Sequence, residues 1–86
     1  MRLRTEGVST RTVGDETIVL DLETSRYLTV TGVGVRLIEL LSDGRDVPVD
    51  ELVTTVTDEY EVDGATARRD IEGFGERLAS VGLLAT

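Results

Sequence analysis

Few residues in this sequence could take part in catalysis. The 86-residue chain contains no histidine and no cysteine, so it lacks the usual general base, the thiolate nucleophile and the strongest ligands for zinc, copper and iron. No histidine or lysine is present to activate a serine, and we interpret the serines as turn, cap and surface residues; they are Ser9, Ser25, Ser42 and Ser80. We therefore expect no catalytic residue and no cofactor.

Two other patterns could in principle bind small ligands. An acidic cluster lacks the glycine and the terminal glutamate spacing of a calcium loop, and a solvated helix end is the favoured interpretation; its members are Asp58, Glu59, Glu61 and Asp63. The strings Gly32-Val33-Gly34 and Gly73-Phe74-Gly75 lack the lysine and serine of a phosphate loop. We expect neither a metal site nor a nucleotide site.

One strip of side chains combines an apolar ring with both charges. Asp70, Phe74 and Arg77 follow an i, i+4, i+7 spacing, which places them along one side of a helix. Taken alone, the ring is typical of core packing and the two charges are typical of solvated surface. Gly73 and Gly75 each cost a helix about 1 kcal/mol. They are either tolerated surface glycines or sites of close approach, by the domain's own sheet or by another chain.

The elements that must position this strip begin with three predicted strands. Residues 8–13 are rich in β-branched side chains, and Gly14-Asp15 supplies a turn. Residues 16–22 then alternate, with one face formed by Ile18, Leu20 and Leu22. After a turn at residues 23–25, residues 26–30 form the third strand, in which Tyr27 and Thr29 point away from Leu28 and Val30. The short connections predict an antiparallel meander.

Three helices are predicted after the strands. The first begins at the N-cap Thr31 and ends near Gly44, and the second covers residues 49–60 after Pro48. The third begins at the cap Asp63 and ends at Gly82. Its predicted buried stripe comprises Ala67, Ile71, Phe74, Leu78 and Val81.

These elements define an α+β fold of the winged helix-turn-helix type, with a three-stranded antiparallel sheet followed by three helices. We expect a single domain over residues 1–86, in which residues 1–6 are frayed. The short chain leaves little apolar material for an enclosed cavity, so a binding site should be a surface groove. At least one edge of the sheet should remain open.

The charge and the N-terminus constrain partners and location. The net charge of −8 opposes binding to nucleic acid. The first 12 residues are polar and contain no apolar signal region, and no run approaches the roughly 20 apolar residues of a membrane span. We expect a cytoplasmic protein with neither a nucleic-acid partner nor a membrane partner.

The order of these residues resembles the PqqD-like family, also called RiPP precursor-peptide recognition elements, from Val8 to Leu84. The family's asparagine-proline-threonine-glycine turn after strand three is degraded here to Thr29-Val30-Thr31-Gly32. The stretch Val8-Ser9-Thr10 is similar to stand-alone members of lasso-peptide pathways. The resemblance rests on the segments Val19-Leu20-Asp21, Arg26-Tyr27-Leu28, Val30-Thr31-Gly32, Asp50-Glu51-Leu52-Val53, Tyr60-Glu61-Val62-Asp63, Arg69-Asp70-Ile71-Glu72 and Gly82-Leu83-Leu84, with Leu37, Ile38, Leu40 and Leu41 in the first helix.

This resemblance implies a binding protein and not an enzyme. In the family, the leader segment of a precursor peptide adds as a β-strand between strand three and the last helix, an arrangement that agrees with an open sheet edge. A separate cysteine-protease-type leader peptidase and an ATP-using cyclase are the implied partners in lasso-peptide biosynthesis. The peptide-binding residues would be Arg26, Tyr27, Leu28, Thr29, Val30, Asp70, Phe74 and Arg77.

Two alternative functions fit the same architecture. A PqqD-type peptide chaperone would deliver a precursor peptide to a radical enzyme of quinone-cofactor synthesis. A winged-helix DNA-binding protein would use the arginines of the last helix, but acidic residues on the same helix oppose that function; the arginines are Arg68, Arg69 and Arg77.

Overall fold

The structure, a computed structural model, describes residues 1–85. Strands β2, β3 and β4 form an antiparallel sheet in that order, and β1 pairs with β5 in a separate two-stranded sheet. The predicted α+β arrangement, a three-stranded sheet followed by three helices, is confirmed. The elements are β1 (Arg2–Leu3), β2 (Val8–Val13), β3 (Glu16–Asp21), β4 (Tyr27–Thr31), α1 (Val33–Leu41), α2 (Val49–Glu59), α3 (Gly64–Ser80) and β5 (Leu84–Ala85).

The apolar face of β3 is not the face that is buried. The alternate set of residues points into the core instead; these are Thr17, Val19 and Asp21. Burying Thr17 is possible because its hydroxyl forms a hydrogen bond with the hydroxyl of Thr12, at 2.8 Å. The outer face of the sheet is therefore open and carries exposed apolar side chains, namely Val13, Ile18, Leu22 and Tyr27.

Asp21 is the buried acid of the sheet, with 1% of its surface exposed. Its carboxylate accepts hydrogen bonds from the N–H groups of Glu23, at 3.0 Å, and Thr24, at 3.4 Å. It also lies 3.1 Å from the Arg4 guanidinium. Burial acts to raise the pKa of Asp21, but these groups outweigh burial and hold the pKa below its usual value.

We expect Asp21→Asn to lower Tm at pH 7, because the neutral amide loses the charge that Arg4 and the two N–H groups stabilise. Since the native pKa is lowered, the stabilisation is present above the unfolded-chain pKa of about 3.9 and is lost as pH falls through the native value. Thermal unfolding followed by circular dichroism from pH 7 to pH 2 should show the Tm difference shrinking below pH about 4. A constant difference would contradict this role, and Asp15→Asn in the exposed hairpin turn is the control.

The first residues of the chain, part of the segment 1–6 that the sequence predicts to be frayed, contact the rest of the domain. Arg2 pairs with Ala85 and Leu3 with Leu84, and the Leu3 side chain is buried in the core. The Arg4 guanidinium also donates to the Gly82 carbonyl, 78 residues further along the chain, at 2.8 Å. A two-residue strand has no periodicity, and its partner lies at the other end of the chain. Local patterns therefore do not reveal this pairing.

The three predicted helices are present, but α1 ends at Leu41, before the predicted end near Gly44, and its N-cap differs from the prediction. Thr31 does not cap α1: it is the last residue of β4, and Gly32 occupies the N-cap position with φ 57°. Glycine adopts this left-handed conformation without strain, and the chain turns there from strand to helix. The other two starts agree with prediction, since α2 follows Pro48 and the Asp63 carboxylate accepts from the Thr66 N–H at 2.7 Å.

The helices bury their apolar stripes against the inner face of the sheet and against one another. Within residues 1–85, no helix combines the length and apolar character that a membrane crossing requires. The buried hydrophobic residues are Leu3, Val19, Val30, Leu37, Ile38, Leu41, Val47, Leu52, Val56, Ala67, Ile71, Phe74, Leu78 and Leu83.

Candidate functional site: the outer edge of β4 and the facing groove

Within residues 1–85, strand β4 pairs with β3 on one side only, and its other edge is open. In an antiparallel ladder, residue pairs that exchange backbone hydrogen bonds alternate with pairs that do not. The N–H of Asp21 donates to the carbonyl of Arg26 at 2.8 Å, so Asp21 and Arg26 are a hydrogen-bonded pair. Leu28 and Val30 therefore direct their backbone groups towards β3, where they lie opposite Val19 and Thr17. The backbone N–H and C=O groups that point away from the sheet belong to Tyr27, Thr29 and Thr31.

A groove of about 520 Å³ lies beside the end of this edge. One wall is formed by the end of β4 and the start of α1, and the opposite wall is formed by α3. Its lining residues are Thr31, Val33, Gly34, Leu37, Arg69, Asp70, Gly73, Phe74 and Arg77.

The α3 wall contains the strip that the sequence singles out. Asp70, Phe74 and Arg77 all line the groove, Phe74 at its base with 5% of its surface exposed and the two charged residues at the rim. Arg69 lies on the same rim. In the part of the chain that the structure describes, neither Arg69 nor Asp70 makes a salt bridge, so these charges can meet a ligand.

The two glycines of α3 have different surroundings, which separates the alternatives left open by the sequence. A Cβ at Gly75 would lie 2.8 Å from the terminal methyl of Met1, so Gly75 allows the domain's own N-terminus to approach. A Cβ at Gly73 would meet nothing within 4 Å in the part of the chain that the structure describes. Gly73 therefore leaves space in the groove that no other part of residues 1–85 fills.

The predicted strand residues divide between the edge, the core and the outer face of the sheet. Tyr27 offers its backbone to the open edge, but its side chain lies on the outer face and is 63% exposed. Thr29 lies on the same face, Leu28 is half-buried against the core, and the Val30 side chain is a core residue with 2% exposed. Arg26 precedes β4, is exposed and closes the turn through its carbonyl.

Sequence reasoning did not select the α1 side of the groove. Thr31, Val33, Gly34 and Leu37 line it together with Gly73 and Arg69 of α3. The string Gly32-Val33-Gly34 carried a signal for this wall, because a Cβ at Gly34 would lie 2.9 Å from Cβ of Val30. Gly34 lets α1 pack closely against β4 and brings the helix to the groove. The meaning of that glycine depends on a contact between two elements, which the sequence alone does not show.

Phe74→Ala should destabilise the fold by about 3–5 kcal/mol, because the ring is almost entirely buried although one side lines the groove. Tyr27→Ala should change stability far less, since most of that side chain is exposed. Urea unfolding of both variants, followed by circular dichroism, measures the contrast. Equal midpoints for the two variants would contradict the placement of Phe74 in the core.

Comparison with known proteins agrees with this architecture. The family model described as "Coenzyme PQQ synthesis protein D (PqqD)" matches residues 16–84, and this chain belongs to that family of RiPP recognition elements. No curated protein matches the sequence significantly. The chain is 33% identical to TbiB1, solved in complex with the TbiA(beta) leader peptide, with a TM-score of 0.83 over 98% of this chain and 94% of that one. It is 25% identical to a lasso peptide synthetase B1 complexed with the leader peptide, with a TM-score of 0.80 over 99% and 96% of the two chains.

Proposed function

We propose that this protein binds the leader segment of a ribosomally made precursor peptide as an added β-strand between β4 and α3. The observation that carries the proposal is the open edge of β4 facing a groove whose other wall is α3. Both similar structures hold a leader peptide, which supports the same ligand class here. An extended peptide suits such a site because backbone pairing supplies affinity without requiring a deep pocket.

The backbone of the leader pairs with the outward groups of Tyr27, Thr29 and Thr31. Alternate side chains of the leader then point to opposite faces of the extended sheet, so every second one reaches the groove. The apolar surface of Leu37 and Phe74 and the open space at Gly73 accept apolar side chains, and the rim charges select among polar ones. Backbone pairing thus gives affinity and the groove gives specificity.

The protein itself makes and breaks no bond. Holding the leader keeps the attached core peptide near a separate leader peptidase and a cyclase of lasso-peptide biosynthesis, which raises the effective concentration of the substrate. The outer face of the sheet, with Ile18, Leu22 and Tyr27 exposed, lies on the other side from the helices and stays open when the groove is filled. Exposed apolar side chains of this kind are suited to contact with a protein partner.

Two of the three arginines of α3, Arg68 and Arg77, already have partners within the chain. Arg68 pairs with Asp50 of α2, and Arg77 donates to the Thr29 carbonyl across the groove. Each is therefore already engaged within the chain, whose net charge is −8. These contacts favour the peptide over the nucleic acid as a ligand.

Fluorescence polarisation with the synthetic leader of the precursor encoded beside the gene tests the proposal. We expect saturable binding in or below the micromolar range, and binding at least tenfold weaker for a scrambled peptide of the same composition. Equal affinity for both peptides, or no binding of the leader, would overturn the proposal. A 20-base-pair duplex at low salt is the test of the DNA alternative, and we expect it not to bind.

A further inference from the structure

The Arg77 side chain crosses the groove in the free protein. Its Nη2 atom lies on α3 and donates to the Thr29 carbonyl oxygen of β4 at 3.1 Å. The bond is exposed to solvent and joins residues 48 positions apart, one on each wall. Within residues 1–85, no other side-chain hydrogen bond joins α3 to β4.

The acceptor of this bond is one of the outward carbonyls of β4. The alternation that begins at the Asp21 to Arg26 bond assigns the Thr29 carbonyl to the open edge, and the Arg77 contact independently agrees. A strand added at this edge would donate a backbone N–H to the same oxygen. The guanidinium therefore occupies the position that an entering strand needs, at the middle of the three outward residues.

We propose that Arg77 is a latch, meaning a side chain that closes the β4 edge in the free protein and is displaced when a strand enters. This inference rests on the proposed function and adds a conformational step to it. Open strand edges invite pairing with other chains, and a cation placed on the edge is a common protection. The latch closes the edge to weak or short partners while leaving it available to the leader.

The hydrogen bond between Arg77 and the Thr29 carbonyl is weak enough to be displaced. A single exposed hydrogen bond contributes little net free energy, and it holds the edge only until several backbone bonds replace it. The Thr29 carbonyl regains a donor from the entering strand, so only the guanidinium needs a new partner. The groove is lined by two basic residues, Arg69 and Arg77, and by one acidic residue, Asp70. Its rim is therefore locally positive in a chain of net charge −8. The displaced Arg77 then binds a carboxylate on the entering strand.

Two variants and two peptides test the latch. R77M keeps an unbranched, flexible apolar stem and removes the charge and the donors of the guanidinium, and Arg68→Met makes the same change on α3 outside the groove. The probes are the synthetic leader and the same peptide with every aspartate and glutamate replaced by its amide. Stopped-flow fluorescence measures association and dissociation rates, and far-UV circular dichroism checks that each variant is folded.

With the amide peptide, R77M should associate about two- to tenfold faster than wild type, because no latch has to open. With the unmodified leader, which keeps its carboxylates, R77M should dissociate faster than wild type by a similar factor, since the proposed ion pair is missing. The Arg68→Met variant should match wild type in both. Equal rates for R77M and wild type, with the leader bound by both, would overturn the latch and leave the proposed function standing. Failure of wild type to bind the leader would instead overturn the proposed function.

Discussion

Gly73→Leu should abolish or strongly weaken leader binding while the domain stays folded. A Cβ at Gly73 meets no atom of the described residues within 4 Å, so a larger side chain enters the groove without displacing them. The same side chain occupies the space proposed for the leader between Leu37, Phe74 and Asp70. We expect binding to weaken by at least about tenfold, the effect of forcing one or more extra side-chain carbons into a packed interface.

Titration calorimetry with the leader, together with Tm from circular dichroism, separates binding from folding. Ala79→Leu is the matched control, because it adds a leucine at an exposed position of α3 that does not line the groove. Gly73→Ala is the conservative variant and should raise stability by about 1 kcal/mol through helix propensity. Leader affinity unchanged in Gly73→Leu would show that the peptide does not use this groove.

Thr29→Pro should weaken leader binding for a different reason, the loss of backbone pairing. Proline has no N–H, and the Thr29 N–H points away from β3, so the sheet itself loses no ladder hydrogen bond. The proposed leader strand loses a donor at the centre of the edge and meets the proline ring. We expect affinity to fall by about ten- to a hundredfold, which is the effect of an interface contact worth 1–3 kcal/mol.

Leu28→Pro is the matched control one residue earlier. The Leu28 N–H faces β3 opposite Val19, so proline there breaks the sheet and should unfold the domain or lower Tm sharply. Circular dichroism and calorimetry on both variants provide the contrast. If Thr29→Pro bound the leader as wild type does, the added-strand geometry would be wrong. If Thr29→Pro unfolded and Leu28→Pro did not, the assignment of outward and inward groups would be reversed.

Most of the fold could be predicted from the sequence because its signals are local. The Gly14-Asp15 turn, Pro48 before α2 and the Asp63 cap of α3 each involve residues a few positions apart, and each lies where predicted. Apolar spacing likewise predicted the stripe that α3 buries, of which Ala67, Ile71, Phe74 and Leu78 are buried and Val81 is half-buried.

What the sequence did not reveal depends on contacts between distant residues. The β1–β5 pairing joins the two ends of the described chain, and β3 buries Thr17 and Asp21 only because Thr12 and Arg4 satisfy them. The residue pattern within one element shows neither contact, and it predicts that the more apolar face is buried.

The candidate site divides in the same way. Helical spacing brought Asp70, Phe74 and Arg77 together correctly, whereas the α1 wall of the groove depends on the close approach of Gly34 to Val30. Tyr27 and Val30 belong to the proposed site through the strand that carries them, since their side chains lie on the outer face and in the core. Their contact with a leader peptide stays a prediction.

Amide hydrogen exchange with and without saturating leader tests the central claim most directly. The outward N–H groups of Tyr27, Thr29 and Thr31 should exchange at least about tenfold more slowly in the complex, because the leader strand covers the edge to which they point. The inward N–H groups of Leu28 and Val30 serve as internal controls, since they are already bonded to β3. Slowed exchange at the outward amides of β4 is the result that we predict. Unchanged exchange there, with protection confined to β2 or the helices, would contradict leader binding as a strand on β4.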